Sequence, residues 1–238
     1  MAKYKDACLL VLASQRESCL LAISRFSIRI LRLILTSIMS GLTEDDYPEY
    51  SQFIANKKGS SLGFGSRPAL ILIDVCDAYF TPGPLDLRGY QKAAEAPASM
   101  KRLLSAAHAG KCPIIWTQTK YIHPRMRDAG LLAKKNPALD EFLLLGDGDA
   151  RGLKFLGGLE PGEDGIIIHK KCPSAFFGTN LLTQLHILGV DTLVIGGACT
   201  SGSVRATALD CMQSGLRAIV CSFPFSYPSS WFSDIVFT

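Results

Sequence analysis

Three apolar runs in this sequence end on side chains suited to covalent hydrolysis. Asp74 closes Ala69-Leu70-Ile71-Leu72-Ile73, and Lys170 follows Gly165-Ile166-Ile167-Ile168-His169. Cys199 and Ser203 lie in the loop after Thr192-Leu193-Val194-Ile195-Gly196-Gly197. A carboxylate can take a nucleophile's proton, an ammonium can stabilise the resulting anion, and backbone amides can hold an oxyanion. Each residue also has a plainer role. Asp74 can end a strand and cap the next turn. Lys170 can be a solvated neighbour of Lys171, Cys199 a packed core thiol, and Ser203 an ordinary residue of a first helical turn. Taken singly, none favours chemistry. Their shared position at three strand ends does.

The elements that must carry them follow from the hydrophobic pattern. A short, continuous apolar run such as 69–73 marks a parallel strand buried on both faces. Helix 91–109 follows, with Ala94, Met100, Leu103, Leu104 and Ala107 facing inward. Further strands are expected at 113–116, 165–168, 192–195 and 216–220, and helices around 178–188 and over 201–214. Strands alternating with helices imply right-handed crossovers. The fold class is therefore α/β, a Rossmann-like three-layer sandwich around a parallel sheet of five or six strands. In such sheets function gathers beyond the carboxyl ends of the strands. That is where Asp74, Lys170 and the 199–203 loop belong. Helix 201–214 would aim its N-terminus at the same crevice and favour negative charge there. A dinucleotide site is disfavoured, because the first strand runs into Asp74-Val75-Cys76-Asp77 and not into a glycine-rich turn.

Charge divides the chain unevenly. The formal net charge is +4, and six basic side chains against two acidic ones within residues 1–40 account for all of it. The remaining chain is balanced, so it offers no electrostatic case for nucleic acid. Residues 1–40 are rich in Leu, Ile, Ser and Arg. Arg25, Arg29 and Arg32 interrupt the apolar run, which argues against a transmembrane span. Two readings stand for this segment: a targeting segment, such as a mitochondrial transit peptide or a membrane-surface helix, or a gene-model artefact with Met39 as the start. Residues 41–66 are polar and turn-rich and read as a linker or arm. Residues 67–221 form the expected domain, and 222–238 a short, aromatic, divergent tail that reads as truncated. None of the eight cysteines forms a C-x-x-C pair and no Cys/His cluster has zinc spacing, so no metal is expected. Cysteines without a disulfide pattern point to a reducing compartment, here the cytoplasm.

Three segments resemble the isochorismatase-like cysteine hydrolases. Arg67-Pro68-Ala69-Leu70-Ile71-Leu72-Ile73-Asp74-Val75 is similar to their opening strand. Lys170-Lys171-Cys172-Pro173-Ser174-Ala175-Phe176-Phe177-Gly178-Thr179 is similar to their lysine segment, and Ile195 to Asp210 to their nucleophile loop and helix. Gly63-Phe64-Gly65 and Ser174-Ala175-Phe176-Phe177 point within the family toward the N-carbamoylsarcosine amidase and maleamate amidohydrolase branch. The resemblance covers about residues 63–221 and implies a catalytic aspartate, lysine and cysteine. Asp74 matches the aspartate. Lys170, four residues before Ser174, matches the lysine in preference to Lys171. The cysteine position, directly before Val204-Arg205-Ala206-Thr207-Ala208, is Ser203. Cys199 falls four residues earlier, where the family implies a non-proline cis peptide, Ala198–Cys199, that aims an amide at the oxyanion. The resemblance further implies a small amide or carbamoyl substrate, no cofactor and a homo-oligomer. Serine at the nucleophile position leaves two functions open. One is hydrolysis of a carbon–nitrogen bond; the other is an inactive relative kept as a binding or assembly subunit, or a truncated non-functional product.

Overall fold

A computed structural model describes residues 62–80, 96–135 and 153–221. The expectations for 1–40, for most of 41–66, for Ala94 and for 222–238 lie outside these residues. Among the described residues, no helix is long and apolar enough to cross a membrane.

Five parallel strands make the sheet: β1 (Pro68–Ile73), β2 (Ile114–Thr119), β3 (Ile166–Lys170), β4 (Thr192–Gly197) and β5 (Arg217–Val220). Their order is β3-β2-β1-β4-β5. β1 is central and buried throughout, which is why its run is apolar without alternation. β3 is an edge strand among the described residues, and its burial alternates. Ile168 and Lys170 turn inward, while Ile167 and His169 face out. That alternation, which strand geometry imposes, decides the direction of Lys170.

The helices are α1 (Asp77–Phe80), α2 (Ala96–Ala109), α3 (Leu131–Lys135), α4 (Leu181–Ile187) and α5 (Arg205–Gln213). A 3₁₀ helix spans Pro124–Ala129. Residues alternate between two cores. Ala69, Ile71 and Ile73 of β1 pack with Leu181 and Leu185 of α4 and Ala208 and Cys211 of α5. Leu70 and Leu72 pack on the other face with Met100, Leu103 and Ala107 of α2. The result is the expected three-layer sandwich. Trp116 seals the α2 side by donating its indole N–H to the Leu159 carbonyl at 2.8 Å.

Two boundaries differ from the sequence reading for physical reasons. β2 continues past Trp116 to Thr119, because Thr117 and Thr119 are β-branched and pair in register with Ile168 and Lys170. The expected helix 201–214 begins instead as a π turn, Thr200–Val204, and becomes α-helical only at Arg205. The amide of Val204 reaches back five residues to the Cys199 carbonyl at 3.3 Å. Thr, Ser and Gly supply weak helix propensity here, and π turns of this kind recur at functional sites.

Candidate active site

Strand order reverses between β1 and β4, the topological switch point at which α/β sheets place their ligand crevice. The two strands run side by side to their last residues, pairing Ile73 with Gly197. The approach is so close that a Cβ on Gly197 would lie 2.2 Å from the Ile73 carbonyl oxygen. Gly197 also has φ of 149°, a conformation open to glycine alone. Asp74 leaves β1 in a left-handed conformation (φ 51°), which turns its side chain across the strand ends.

Asp74, Lys170 and Ser203 meet there. Lys170 Nζ lies 2.8 Å from Asp74 Oδ2 and 3.4 Å from Ser203 Oγ. It also donates to Thr119 Oγ1 at 2.9 Å and to the Cys172 carbonyl at 3.3 Å. The Lys170 side chain is 2% exposed and that of Asp74 1%. Taking either charge from water is costly, and only mutual pairing with further hydrogen bonds offsets that cost. Asp74 Oδ1 accepts from Thr117 Oγ1 (3.1 Å) and Thr119 Oγ1 (3.2 Å). Asp74 Oδ2 accepts no aligned hydrogen bond, and its near contact is the ammonium. Oδ1 is thus held by two hydroxyls and Oδ2 by the ammonium.

Ser203 sits in the π turn, largely buried, and its carbonyl accepts from Thr207 Oγ1 at 2.8 Å. Thr207 in turn accepts from the Ala175 amide at 3.0 Å, joining α5 to the segment after β3. Cys199 occupies the corner between β4 and the π turn, with φ 45° and ψ 62°. The expectation of a cis peptide at Ala198–Cys199 is corrected: no peptide bond among the described residues is cis. Cys199 turns the chain here with a left-handed backbone. The Ala198 amide is meanwhile tied to the Ile73 carbonyl at 2.9 Å. Gly202 gives the Cys199 thiol its space, since a Cβ there would lie 2.6 Å from Sγ.

The sequence reading missed several residues around this triad. Thr117 and Thr119 hold both Asp74 and Lys170, and their signal was present: two hydroxyls at the two-residue spacing that puts both on one face of a strand. Cys76, Ala78, Tyr121 and Ala129, with Tyr79 and Met126 against them, form a small third apolar cluster. The phenol of Tyr79 is pushed well above its ordinary value, first by burial and then by Asp74 and Cys199. Burial also raises Tyr121, to about 12, with help from Cys172 and Asp74. Both rings therefore stay neutral beside the carboxylate. Lys171 points away from the triad to Asp128, 2.8 Å distant.

Residues 68–222 match the family model described as the isochorismatase domain. The chain belongs to the isochorismatase family. It is 37% identical over 163 residues to the maleamate amidohydrolase of Pseudomonas putida, covering 68% of this chain and 73% of that protein. It is 33% identical over 177 residues to the N-carbamoylsarcosine amidase of an Arthrobacter species, covering 70% of this chain and 63% of the other. In fold it is similar to the crystal structure of a cysteine hydrolase from Pseudomonas syringae pv. phaseolicola. The TM-score is 0.62 at 23% identity, over 76% of this chain and 85% of that one. The isochorismatase domain thus carries the crevice just described, with a hydroxyl at position 203.

Proposed function

We propose that this isochorismatase-family chain is a hydrolase of a carbon–nitrogen bond in a small amide or carbamoyl compound, acting through Asp74, Lys170 and Ser203. One observation carries the reading: a buried ammonium that touches both a carboxylate and the hydroxyl. The similarity to a maleamate amidohydrolase and an N-carbamoylsarcosine amidase supports the bond type. In this reading Ser203 Oγ attacks the carbonyl carbon while its proton passes to Asp74. Lys170 stabilises the oxygen as it loses that proton, and the Cys199 amide steadies the tetrahedral oxyanion. The carbon–nitrogen bond then breaks as the leaving nitrogen takes the proton from Asp74. Water attacks the ester left on Ser203, gives a proton to Asp74, and the acid or carbamate departs as the proton returns to Oγ.

The serine also favours a second reading, an inactive family member that binds without turnover. A thiol ionises near 8.5 and is readily lowered beside a lysine at a helix start; a hydroxyl is far less acidic. Purified wild type, Ser203→Cys, Ser203→Ala and Cys199→Ser, each checked for folding, should be offered maleamate and N-carbamoylsarcosine. Slow turnover by wild type, about tenfold or more faster in Ser203→Cys, supports hydrolysis through position 203. Activity that survives Ser203→Ala but is lost in Cys199→Ser assigns the nucleophile to Cys199 instead. No turnover by wild type, with Ser203→Cys active, favours the binding role.

A further inference from the structure

The turn that carries Lys170 is fastened from the neighbouring strand by contacts the triad does not use. The Lys120 amide donates to the Lys170 carbonyl at 3.1 Å. Tyr121 Oη donates to the Lys171 carbonyl at 3.2 Å. Asp128 completes the fastening. Its carboxylate accepts from Lys171 Nζ at 2.8 Å, from the Ile122 amide at 3.0 Å and from the His123 amide at 3.3 Å. One carboxylate thus joins the exit of β2 to the exit of β3. Lys170 and Lys171 are consecutive and point to opposite sides, so the first reaches the reacting groups while the second holds the backbone between them. The next carbonyl, that of Cys172, is itself a ligand of the Lys170 ammonium.

From this geometry we infer that Asp128 is a positioning residue: through Lys171 it sets the backbone that aims Lys170 at position 203. The inference deepens the proposed hydrolase reading and rests on it. The ammonium contact at 3.4 Å to Ser203 Oγ is already long, so a small shift of the turn would break it. A misplacement of about 1 Å costs on the order of 10²-fold in rate. Asp128 suits a fixed latch. Although burial acts to raise it, the hydrogen bonds from Lys171 and from the Ile122 and His123 amides outweigh that and hold it at about 2. It remains a carboxylate wherever the protein works.

The test uses the full chain carrying Ser203→Cys, with and without Asp128→Ala and Asp128→Asn. Two quantities are read: turnover of maleamate and N-carbamoylsarcosine, and the pH dependence of iodoacetamide alkylation at position 203, resolved by peptide mass spectrometry. Among the described residues, the ammonium in contact with that position is Lys170, and Asp74 is paired with it. The thiol is expected to ionise below the ordinary value of about 8.5. Asp128→Ala is expected to move its ionisation back up and to lower kcat about tenfold or more, with KM changed less than about threefold. Asp128→Asn, which keeps an acceptor for the amides, should fall between. The direction discriminates: removing a negative charge would by itself make the thiol easier to ionise, so an upward shift reports lost aim. If both variants leave the alkylation profile in place, or move it down, the positioning role is overturned and the hydrolase reading stands. If the thiol ionises at its ordinary value before Asp128 is touched, Lys170 is not aimed at position 203 and the positioning role falls, while turnover judges the hydrolase reading separately.

Discussion

At position 203 the π turn presents a hydroxyl to the Lys170 ammonium, a charge that favours an anion there. Lys170 already donates toward that atom, and Asp74 pairs with the same ammonium. These groups lower the cost of ionising a thiol more usefully than that of a hydroxyl, which explains the expected gain from Ser203→Cys. The Asp74–Lys170 pair also has a structural side. With both side chains buried, removing either leaves a charge without a partner. Lys170→Met is expected to destabilise the domain by about 3–5 kcal/mol, read from urea unfolding at neutral pH. A loss well under 1 kcal/mol would mean that water reaches Asp74. Thr117 and Thr119 share this work, since each donates to Oδ1.

At the scale of elements, the site depends on how two strands end. Gly197 lets the exit of β4 lie against Ile73, and Cys199 then turns the chain into the π turn that presents Ser203. Gly197→Ala combines a backbone clash with a φ that an alanine cannot hold. It is expected to cost about 3 kcal/mol or more and to lower activity in any active background, checked by thermal melting alongside turnover. The latch between the exits of β2 and β3 has a defined acid limit. Asp128 is held at about 2 against an ordinary 3.8, so the folded form binds the proton less readily than the unfolded chain. Its contribution is present in full above pH 3.8 and is lost as pH falls through about 2. Wild type and Asp128→Asn should therefore differ in melting temperature at pH 6 and converge toward pH 2. A difference that persists unchanged at the acid end would assign the effect to packing.

At the scale of the whole molecule, one sheet is covered on both faces, and each face buries a thiol. Cys211 belongs to the α5 side and Cys221 to the α2 side. Burial pushes both from the ordinary thiol range up to about 12. Here the folded state holds its protons more tightly, so between that ordinary range and about 12 the unfolded chain ionises first. Stability is expected to decline as pH rises through that window, and at neutral pH alkylation of the two thiols should follow global unfolding. Rapid labelling of Cys211 or Cys221 in the native protein would show that one layer opens separately. The segment ahead of β1 is fastened to the same body: Asp191 accepts from the amides of Ser66 and Arg67, and the Gly65 amide donates to Thr192 Oγ1. These contacts tie Gly65, Ser66 and Arg67 to the residues that open β4.

The alternation of apolar runs with helical segments determined the α/β class, the parallel strands and the strand-end positions of Asp74, Lys170 and Ser203. These follow from local pattern, because burial on both faces requires continuous apolar strands. The three motifs likewise carried the family. Which residues far apart in sequence meet was not fixed by local pattern; the spacing of Thr117 and Thr119 marked a shared face but not what that face would touch. That Thr117 and Thr119 serve Asp74 depends on β2 lying beside β1, and the role of Asp128 depends on β3 lying beside β2. The trans Ala198–Cys199 bond, the left-handed Cys199 and the π turn were decided in the same way. There the backbone conformation answers to the close approach of Gly197 and Ile73 across the switch point, a constraint that exists only once the sheet has formed.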